Sequence, residues 1–257
     1  MFKKTSINYL QILYILIICC FILFGKSYAL SPTDTTSINY FDISKKIRIE
    51  ASIIFGSGSK DFYIFKTTTG DENLQLSPGG GLGCKLSLGY CLSSLFNINL
   101  ELGVQNTSSY GTIRQKLINA HGSFSRTFLL GTLRYKIPIT GKSSINIGGG
   151  AGYYMGKLDI DASKIEGGGH KIYEYKDTIG IHVISEYERF LSKFSFLNAR
   201  WSWCIGLKYY NIAYKLDSPT SNWVSIPTNL LPSDFKDEIK ELNGSGTDVL
   251  FSIIMHF

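Results

Sequence analysis

Residues 246–257 read GTDVLFSIIMHF, and apolar and polar side chains alternate along this stretch. Every second position is apolar, namely Val249, Phe251, Ile253, Met255 and Phe257. The positions between them form a mixed set, which consists of Asp248, Leu250, Ser252, Ile254 and His256. Because successive side chains of a β-strand point to opposite sides, the pattern predicts a strand with one apolar and one mixed surface. A soluble antiparallel strand would show the same pattern, so the wider context has to decide.

Seven further stretches alternate in the same way, which predicts eight strands in total. They are residues 46–56, 81–91, 97–105, 124–137, 144–155, 178–189 and 200–209. Long gaps of about 20, 15, 17 and 29 residues, at 57–77, 108–122, 158–174 and 217–245, alternate with turns of roughly 4 to 6 residues. An even number of strands with long and short connections in turn is typical of transmembrane barrels.

The predicted fold class is therefore all-β, a transmembrane antiparallel up-and-down β-barrel of eight strands. Its long loops are expected to be extracellular and its short turns periplasmic. Within hydrocarbon every backbone N–H and C=O group needs a protein partner, so a membrane-spanning sheet has no free edges. The first and eighth strands are consequently expected to pair with each other and to close the wall.

The first 29 residues predict a cleavable signal peptide. Lys3 and Lys4 precede an apolar run over residues 12–24, and Ala29 ends a Ser-Tyr-Ala sequence that fits a cleavage site. An uncleaved anchor is the alternative, but a run of about 13 apolar residues is shorter than the ~20 that span a bilayer. The predicted domains are a signal peptide at 1–29 and a barrel at 30–257.

Composition and charge argue against several other classes of protein. Aromatic residues make up 14% of the chain and there are 26 glycines, a mixture that favours strands over helices. The formal net charge is +6, and removal of residues 1–29 takes away three lysines and leaves +3, which argues against nucleic-acid binding. The three remaining cysteines, at 84, 91 and 204, show neither a disulfide framework nor metal-ligand spacing, so no metal or cofactor is expected.

Aromatic side chains on the apolar faces are sorted by height along the predicted strands. Those nearest the short turns are Tyr90, Tyr135, Tyr187, Trp201 and Phe257. Aromatic rings favour the boundary between lipid and water, so these five predict a periplasmic-side girdle. Phe55, Tyr153 and Tyr209 are expected to begin a second girdle at the other boundary.

Charged residues on the opposite faces are expected to fill the interior of the barrel. The basic members are Arg48, Lys85, Arg134, Lys136, Arg200 and Lys208, and the acidic members are Glu50, Glu101, Glu186, Glu188 and Asp248. Six positive and five negative groups nearly cancel, and buried charges are tolerated when they are paired. This set predicts a lumen ion-pair network that plugs the barrel, and a narrow charged pore is the alternative.

Several residues of types that act in hydrolases lie on the predicted strands. The candidates are His182, Glu186, Asp248, Ser252 and His256. A nucleophile and its base must lie within hydrogen-bond reach, and these residues fall at different predicted heights inside the lumen. We therefore predict no catalytic site. A short helix is expected over residues 233–242, where apolar residues recur at helical spacing.

The C-terminal stretch resembles the last strand of bacterial outer-membrane β-barrels, through Phe251, Ile253, Met255 and Phe257 at two-residue spacing. Over nearly the whole predicted mature chain, the pattern resembles the small eight-stranded barrels such as the OmpA transmembrane domain and OmpX. The resemblance implies a place in the bacterial outer membrane, among its lipids and lipopolysaccharide. It also implies that the barrel-assembly machinery recognises the last strand.

In function, the resemblance implies a surface-exposed structural or interaction protein. Its loops carry Tyr110, Tyr173 and Trp223, which are expected contact points for a host or envelope partner. Two alternatives stay open at this point. One is a narrow channel for small solutes or hydrophobic compounds, and the less favoured one is a lipid-modifying barrel enzyme.

Overall fold

The computed structural model describes residues 46–114, 117–191, 199–217 and 235–257. The predicted signal peptide and Trp223 lie outside these described residues. Thirteen strands and one short helix occur within them, and their bounds are β1 Ile47–Gly58, β2 Phe62–Lys66, β3 Asn73–Leu76, β4 Gly81–Cys91, β5 Phe96–Ser108, β6 His121–Thr140, β7 Ser143–Asp161, β8 His170–Glu174, β9 Thr178–Phe190, β10 Arg200–Asn211, β11 Ala213–Lys215, α1 Phe235–Glu238, β12 Glu241–Asn243 and β13 Gly246–His256.

Eight of these strands close into a barrel, as the alternation predicts. Neighbours in the wall run in the order β1, β4, β5, β6, β7, β9, β10 and β13, and β13 pairs with β1. The strands pair antiparallel throughout, and Ile53 of β1 lies opposite Cys84 of β4 on one side and Phe251 of β13 on the other. The predicted closure of the first strand onto the last is thereby confirmed.

Burial along each wall strand is inverted with respect to a soluble protein. In β5, the apolar residues Ile98, Leu100 and Leu102 are 49–56% exposed. The alternate residues Asn97, Asn99 and Glu101 are at most 2% exposed. Because the apolar side chains face outward and the polar ones face the lumen (the interior of the barrel), the wall presents the surface that a lipid bilayer requires.

This apolar outer belt ends at polar residues towards both ends of the barrel. On β7 it stops after Tyr153 and Met155, where Lys157 and Asp159 follow on the outward face. On β9 it stops at the exposed Arg189. We call the end with connections 92–95, 141–142 and 191–199 the short-turn end and the opposite end the loop end.

Side chains from the connections at the loop end form an apolar cap over the barrel. The β2–β3 and β11–β12 hairpins carry Phe65 and Tyr214, which are fully buried in one core with Phe124 of β6. Neighbouring loops are tied together, because Gln75 and Tyr110 exchange backbone hydrogen bonds of 2.7 and 2.8 Å. The hydroxyl of Tyr110 also donates to Asp61, and this hydrogen bond raises the pKa of Tyr110 to about 12.

The structure corrects two expectations at the loop end. Tyr173, expected as a contact point for a partner, is 1% exposed because it lies in β8 and packs into the cap core. Residues 233 and 234 of the helix predicted over 233–242 lie outside the described residues. Within the described part only Phe235–Glu238 is helical, as α1, and Leu242 lies instead in β12, where it pairs with Tyr214. No helix in the described ranges is long and apolar enough to cross a membrane.

Closure of the wall predicts heat-dependent migration on gels. The detergent-extracted protein is expected to run as a compact species in SDS and to shift when boiled, because a closed barrel resists SDS until it is heated. Ala51 lies in the middle of β1, opposite Ile253 of β13 on one side and Leu86 of β4 on the other. Ala51→Pro should abolish the compact species, because proline has no backbone N–H to donate to a neighbouring strand.

Thr68→Pro is the matched control for this prediction. Thr68 occupies the second position of a turn in which Gly70 donates to the carbonyl of Thr67, a position that favours proline. A protein whose mobility does not change on boiling, or an Ala51→Pro variant that keeps the shift, would contradict the closed wall.

Candidate functional site

The candidate site is the polar interior of the barrel, and Glu50 is its most connected residue. Its carboxylate lies 2.9 Å from the Nζ of Lys85, 2.9 Å from Nη1 of Arg134 and 3.1 Å from Nη2 of Arg48. Ser52 and Ser252 donate hydrogen bonds to the same carboxylate at 3.0 and 3.1 Å. Glu50 is fully buried, so its negative charge is neutralised by protein groups alone.

Arg134 connects distant parts of the wall across the lumen. From β6 it reaches Glu50 on β1, Glu101 on β5 at 2.7 Å and Glu186 on β9 at 3.0 Å. Lys85 of β4 adds a second bridge to Glu101 at 3.1 Å. Because these contacts join five different strands, this layer of charge spans the interior rather than lining one side of it.

A second group of contacts lies closer to the short-turn end and centres on Glu188 of β9. Its carboxylate is 3.4 Å from Nη1 of Arg48, 3.7 Å from Nζ of Lys136 and 3.0 Å from Nε2 of His256. Ser202 donates a further hydrogen bond at 2.6 Å. Arg48 therefore belongs to both layers and links Glu188 to Glu50.

A third group lies closer to the loop end, around Asp248 of β13. Arg126 and Lys208 place their nitrogens 3.3 and 3.8 Å from this carboxylate, and the amide nitrogen of Gln105 donates to it at 3.2 Å. The Arg126 guanidinium also stacks 4.1 Å from the ring centroid of Tyr210. The set of lumen residues predicted from the sequence does not include Arg126 and Gln105. Both occupy the same alternating positions of their strands as the predicted members, so the alternation could have identified them.

Ten of the eleven residues predicted for the network are buried, and all ten take part in ion pairs. Arg200 is placed differently from the other ten. It is half-buried at the first position of β10, opposite His256 and at the mouth of the lumen. The structure thus brings together ten of the predicted residues, adds Arg126, and leaves Arg200 at the edge.

An apolar section interrupts the polar filling of the lumen, since Ile54 and Leu250 pair with each other between Glu50 and Asp248 along the β1–β13 ladder. Its side chains face inward from six wall strands and are at most 3% exposed, and they are Ile54, Phe128, Leu130, Tyr154, Ile184, Tyr210 and Leu250. Phe128 lies beneath two cations, since Lys208 Nζ is 4.9 Å and Arg126 Cζ is 6.0 Å from its ring centroid. Polar and apolar fillings therefore follow one another along the barrel axis.

The residues weighed for hydrolase chemistry do not form a catalytic triad. Ser202 and Glu188 both contact the same nitrogen, Nε2 of His256, at 3.0 Å, whereas a triad needs one partner on each ring nitrogen. Ser252 lies 2.8 Å from Ser52 and donates its hydroxyl hydrogen to Glu50, so it is not engaged with a histidine. Within the described ranges, no group of three or more His, Cys, Asp or Glu side chains is arranged to hold a metal ion.

The predicted girdle residues differ in exposure. Tyr90 and Tyr135 are exposed, and Tyr187 and Phe257 are half-buried. Trp201 is the exception, because it occupies an outward position of β10 but is only 8% exposed. Its indole is therefore covered by protein, contrary to the expectation that all five rings face lipid.

Only the comparison with solved structures found proteins that are similar to this chain. No family model matches the chain, and no curated protein matches its sequence. Among solved structures, it is similar to the outer membrane protein OprG from Pseudomonas aeruginosa, at 11% identity and a TM-score of 0.53, over 83% of this chain and 96% of OprG. The fold is that of a small outer-membrane β-barrel.

Two further structures are similar at lower scores. Neisserial surface protein A matches at 11% identity and a TM-score of 0.40, over 82% of this chain and 94% of that chain. Ail, the attachment invasion locus protein of Yersinia pestis, matches at 11% identity and a TM-score of 0.39, over 83% of this chain and 97% of its own. At these scores and identities the two matches carry no further argument, either for the fold or for single residues.

The connections of Glu50 predict a large effect of its neutralisation on stability. Glu50→Gln leaves Lys85, Arg134 and Arg48 buried around a neutral amide, and removal of one partner of a buried ion pair costs about 3–5 kcal/mol. We expect urea unfolding in detergent micelles to show a correspondingly lower midpoint.

Glu174→Gln is the matched control, because Glu174 faces solvent and lies 3.7 Å from the exposed Lys157. An exposed ion pair of this kind contributes about 0–1 kcal/mol. Equal midpoints for the two variants would show that the lumen bridges do not stabilise the folded barrel.

Proposed function

We propose that this chain is an integral protein of the bacterial outer membrane, with a lumen filled by its own side chains and a structural or interaction role. The apolar outer belt and the closed wall support the location, together with the predicted signal peptide at 1–29. Outer-membrane lipids and lipopolysaccharide would surround the belt. The C-terminal strand, which β1 and β10 flank in the wall, would carry the signal for the barrel-assembly machinery.

The observation that carries the proposal is the bridge from Arg134 to Glu50, Glu101 and Glu186 across the lumen. An aqueous pore needs a continuous water-filled path, and this path is interrupted twice. It is crossed first by the ion-paired layer and then by the apolar section at Ile54 and Leu250. A barrel of eight strands has an interior just wide enough for side chains to fill, so two such barriers are compatible with its size.

The ordered cap at the loop end supports an interaction role. Its outer surface carries apolar side chains beside the buried core, among them Tyr63, Tyr110, Ile113 and Ile118. Tyr63 lies opposite Gln75 in the β2–β3 hairpin, and Gln75 bridges to Tyr110, so the two tyrosines share one small sheet. A partner, either a host molecule or another envelope protein, would meet the surface that these described side chains form.

Reconstitution into planar bilayers tests the filled lumen. Protein that shows the heat-dependent gel shift is expected to insert without discrete ion-conductance steps. Steps whose ion selectivity changes in Arg134→Gln or Glu101→Gln variants would overturn the proposal and establish the alternative of a narrow channel. Changed lipopolysaccharide or phospholipid profiles on deletion and overexpression would instead support the lipid-modifying enzyme.

Labelling of intact cells tests the orientation. In a variant without the native cysteines, Ile118→Cys should react with a membrane-impermeant maleimide, because Ile118 is 66% exposed at the loop end. Lys142→Cys, in the turn between β6 and β7, should react after the envelope is permeabilised and not before. The reverse pattern would place the loops in the periplasm.

A further inference from the structure

Charged side chains outside the lumen are sorted between the two ends of the barrel. In the described part of the chain, every acidic side chain that is not buried lies at the loop end, within residues 61–71, 159–177, 217 and 237–241. At the short-turn end the exposed charged side chains of the described residues are Lys46, Lys142 and Arg189, which we call the basic rim. Among the described residues, the exposed charge at the short-turn end is therefore positive, whereas that at the loop end is mixed.

The basic rim lies directly at the edge of the apolar outer belt. Arg189 of β9 is on the outward face, opposite Trp203 of β10 and two positions from Tyr187. The rings of Tyr187 and Trp203 pack together with centroids 5.7 Å apart. Lys142 adjoins the same place, because its carbonyl accepts a 2.8 Å hydrogen bond from the backbone of Phe190.

We propose that the basic rim, with the Tyr187–Trp203 pair below it, binds the headgroups of anionic phospholipids in the adjoining leaflet. This inference rests on the proposed membrane location and assigns a ligand class to one edge of the barrel. An arginine guanidinium donates several hydrogen bonds in a planar fork that matches phosphate oxygens, and a lysine adds a point charge. Aromatic rings at the same height hold the side chains at the boundary between acyl chains and headgroups.

Charge complementarity selects an anionic lipid over a zwitterionic one. Near a membrane surface each lysine or arginine contributes about a five-fold preference for anionic lipid, from the ~1 kcal/mol per residue that such contacts are worth. At the loop end the equivalent position holds Lys157 together with Glu174, 3.7 Å apart, so the net charge is zero there. The preference is therefore expected at the short-turn end alone.

Tryptophan quenching by brominated lipids measures this preference at the site. The chain has three tryptophans, and the double change Trp201→Phe and Trp223→Phe leaves Trp203 beside Arg189 as the single reporter. The barrel is reconstituted in phosphatidylcholine vesicles that contain brominated phosphatidylglycerol, and separately with the same fraction of brominated phosphatidylcholine. We expect stronger quenching by the phosphatidylglycerol. The local enrichment should be roughly five-fold if one of Lys142 and Arg189 contacts a headgroup and about 25-fold if both do, and 1 M salt should reduce it.

Variants then assign the enrichment to the basic rim. Lys142→Gln with Arg189→Gln should bring the two quenching curves at Trp203 together, because the third rim residue, Lys46, precedes β1, which is three strands away from β9 in the wall. Arg189→Lys should keep most of the difference. The matched control, Lys157→Gln with Glu174→Gln at the loop end, should leave it unchanged. Equal quenching by the two lipids in the unaltered single-tryptophan protein, or an enrichment that survives loss of the rim charges, would overturn the inference.

The heat-dependent gel shift is recorded for every reconstituted sample. A protein that inserts, shows the shift and lacks the preference contradicts the lipid site alone. A protein that fails to insert as a barrel contradicts the proposed membrane location as well. Should the double variant fail to fold, Lys142→Gln and Arg189→Gln are measured singly, and each is expected to lower the enrichment.

Discussion

The rest of the structure depends on one constraint, which is that the backbone of the wall has no water to bond with. A sheet in hydrocarbon must satisfy each N–H and C=O group within the protein, and pairing of β1 with β13 is what achieves it. Once the ring of eight strands is closed, its circumference limits the interior to the width of side chains. Both the apolar outer belt and the packed lumen follow from this closure.

The packed lumen then imposes its own requirement on charge. Desolvation of a carboxylate such as Glu50 costs several kcal/mol, and ion pairs repay this cost when their geometry is good and the remaining lone pairs are satisfied. Glu50 meets both conditions, because three cations and two serine hydroxyls surround it. Because buried charges have to be paired, the near balance of acidic and basic groups in the lumen follows from their burial. Selectivity for a transported ion is not required to explain it.

Strand alternation predicts the wall and most of the lumen because it is a local property. The parity of Arg134 and Glu101 along their strands is sufficient to place both inside. The same parity places Arg126 inside as well, although the predicted set does not include it. The cap was not predictable in this way, since burial of Tyr173 depends on contacts between loops far apart in sequence. The burial of Trp201 likewise depends on contacts with other residues, which the alternation within one strand does not reveal.

The charges in the lumen also specify the register of the wall. Side chains alternate with a period of two, so a slip of one residue between strands moves every inward group to the outside. For β6 such a slip would expose Arg126, Thr132 and Arg134 to lipid, and a basic residue at the bilayer midplane costs about 2–4 kcal/mol. It would at the same time bury Leu129 and Leu133 among the carboxylates of neighbouring strands. Alternative registers therefore lose ion pairs and gain exposed charge together, and this double penalty selects the observed pairing over a slipped one.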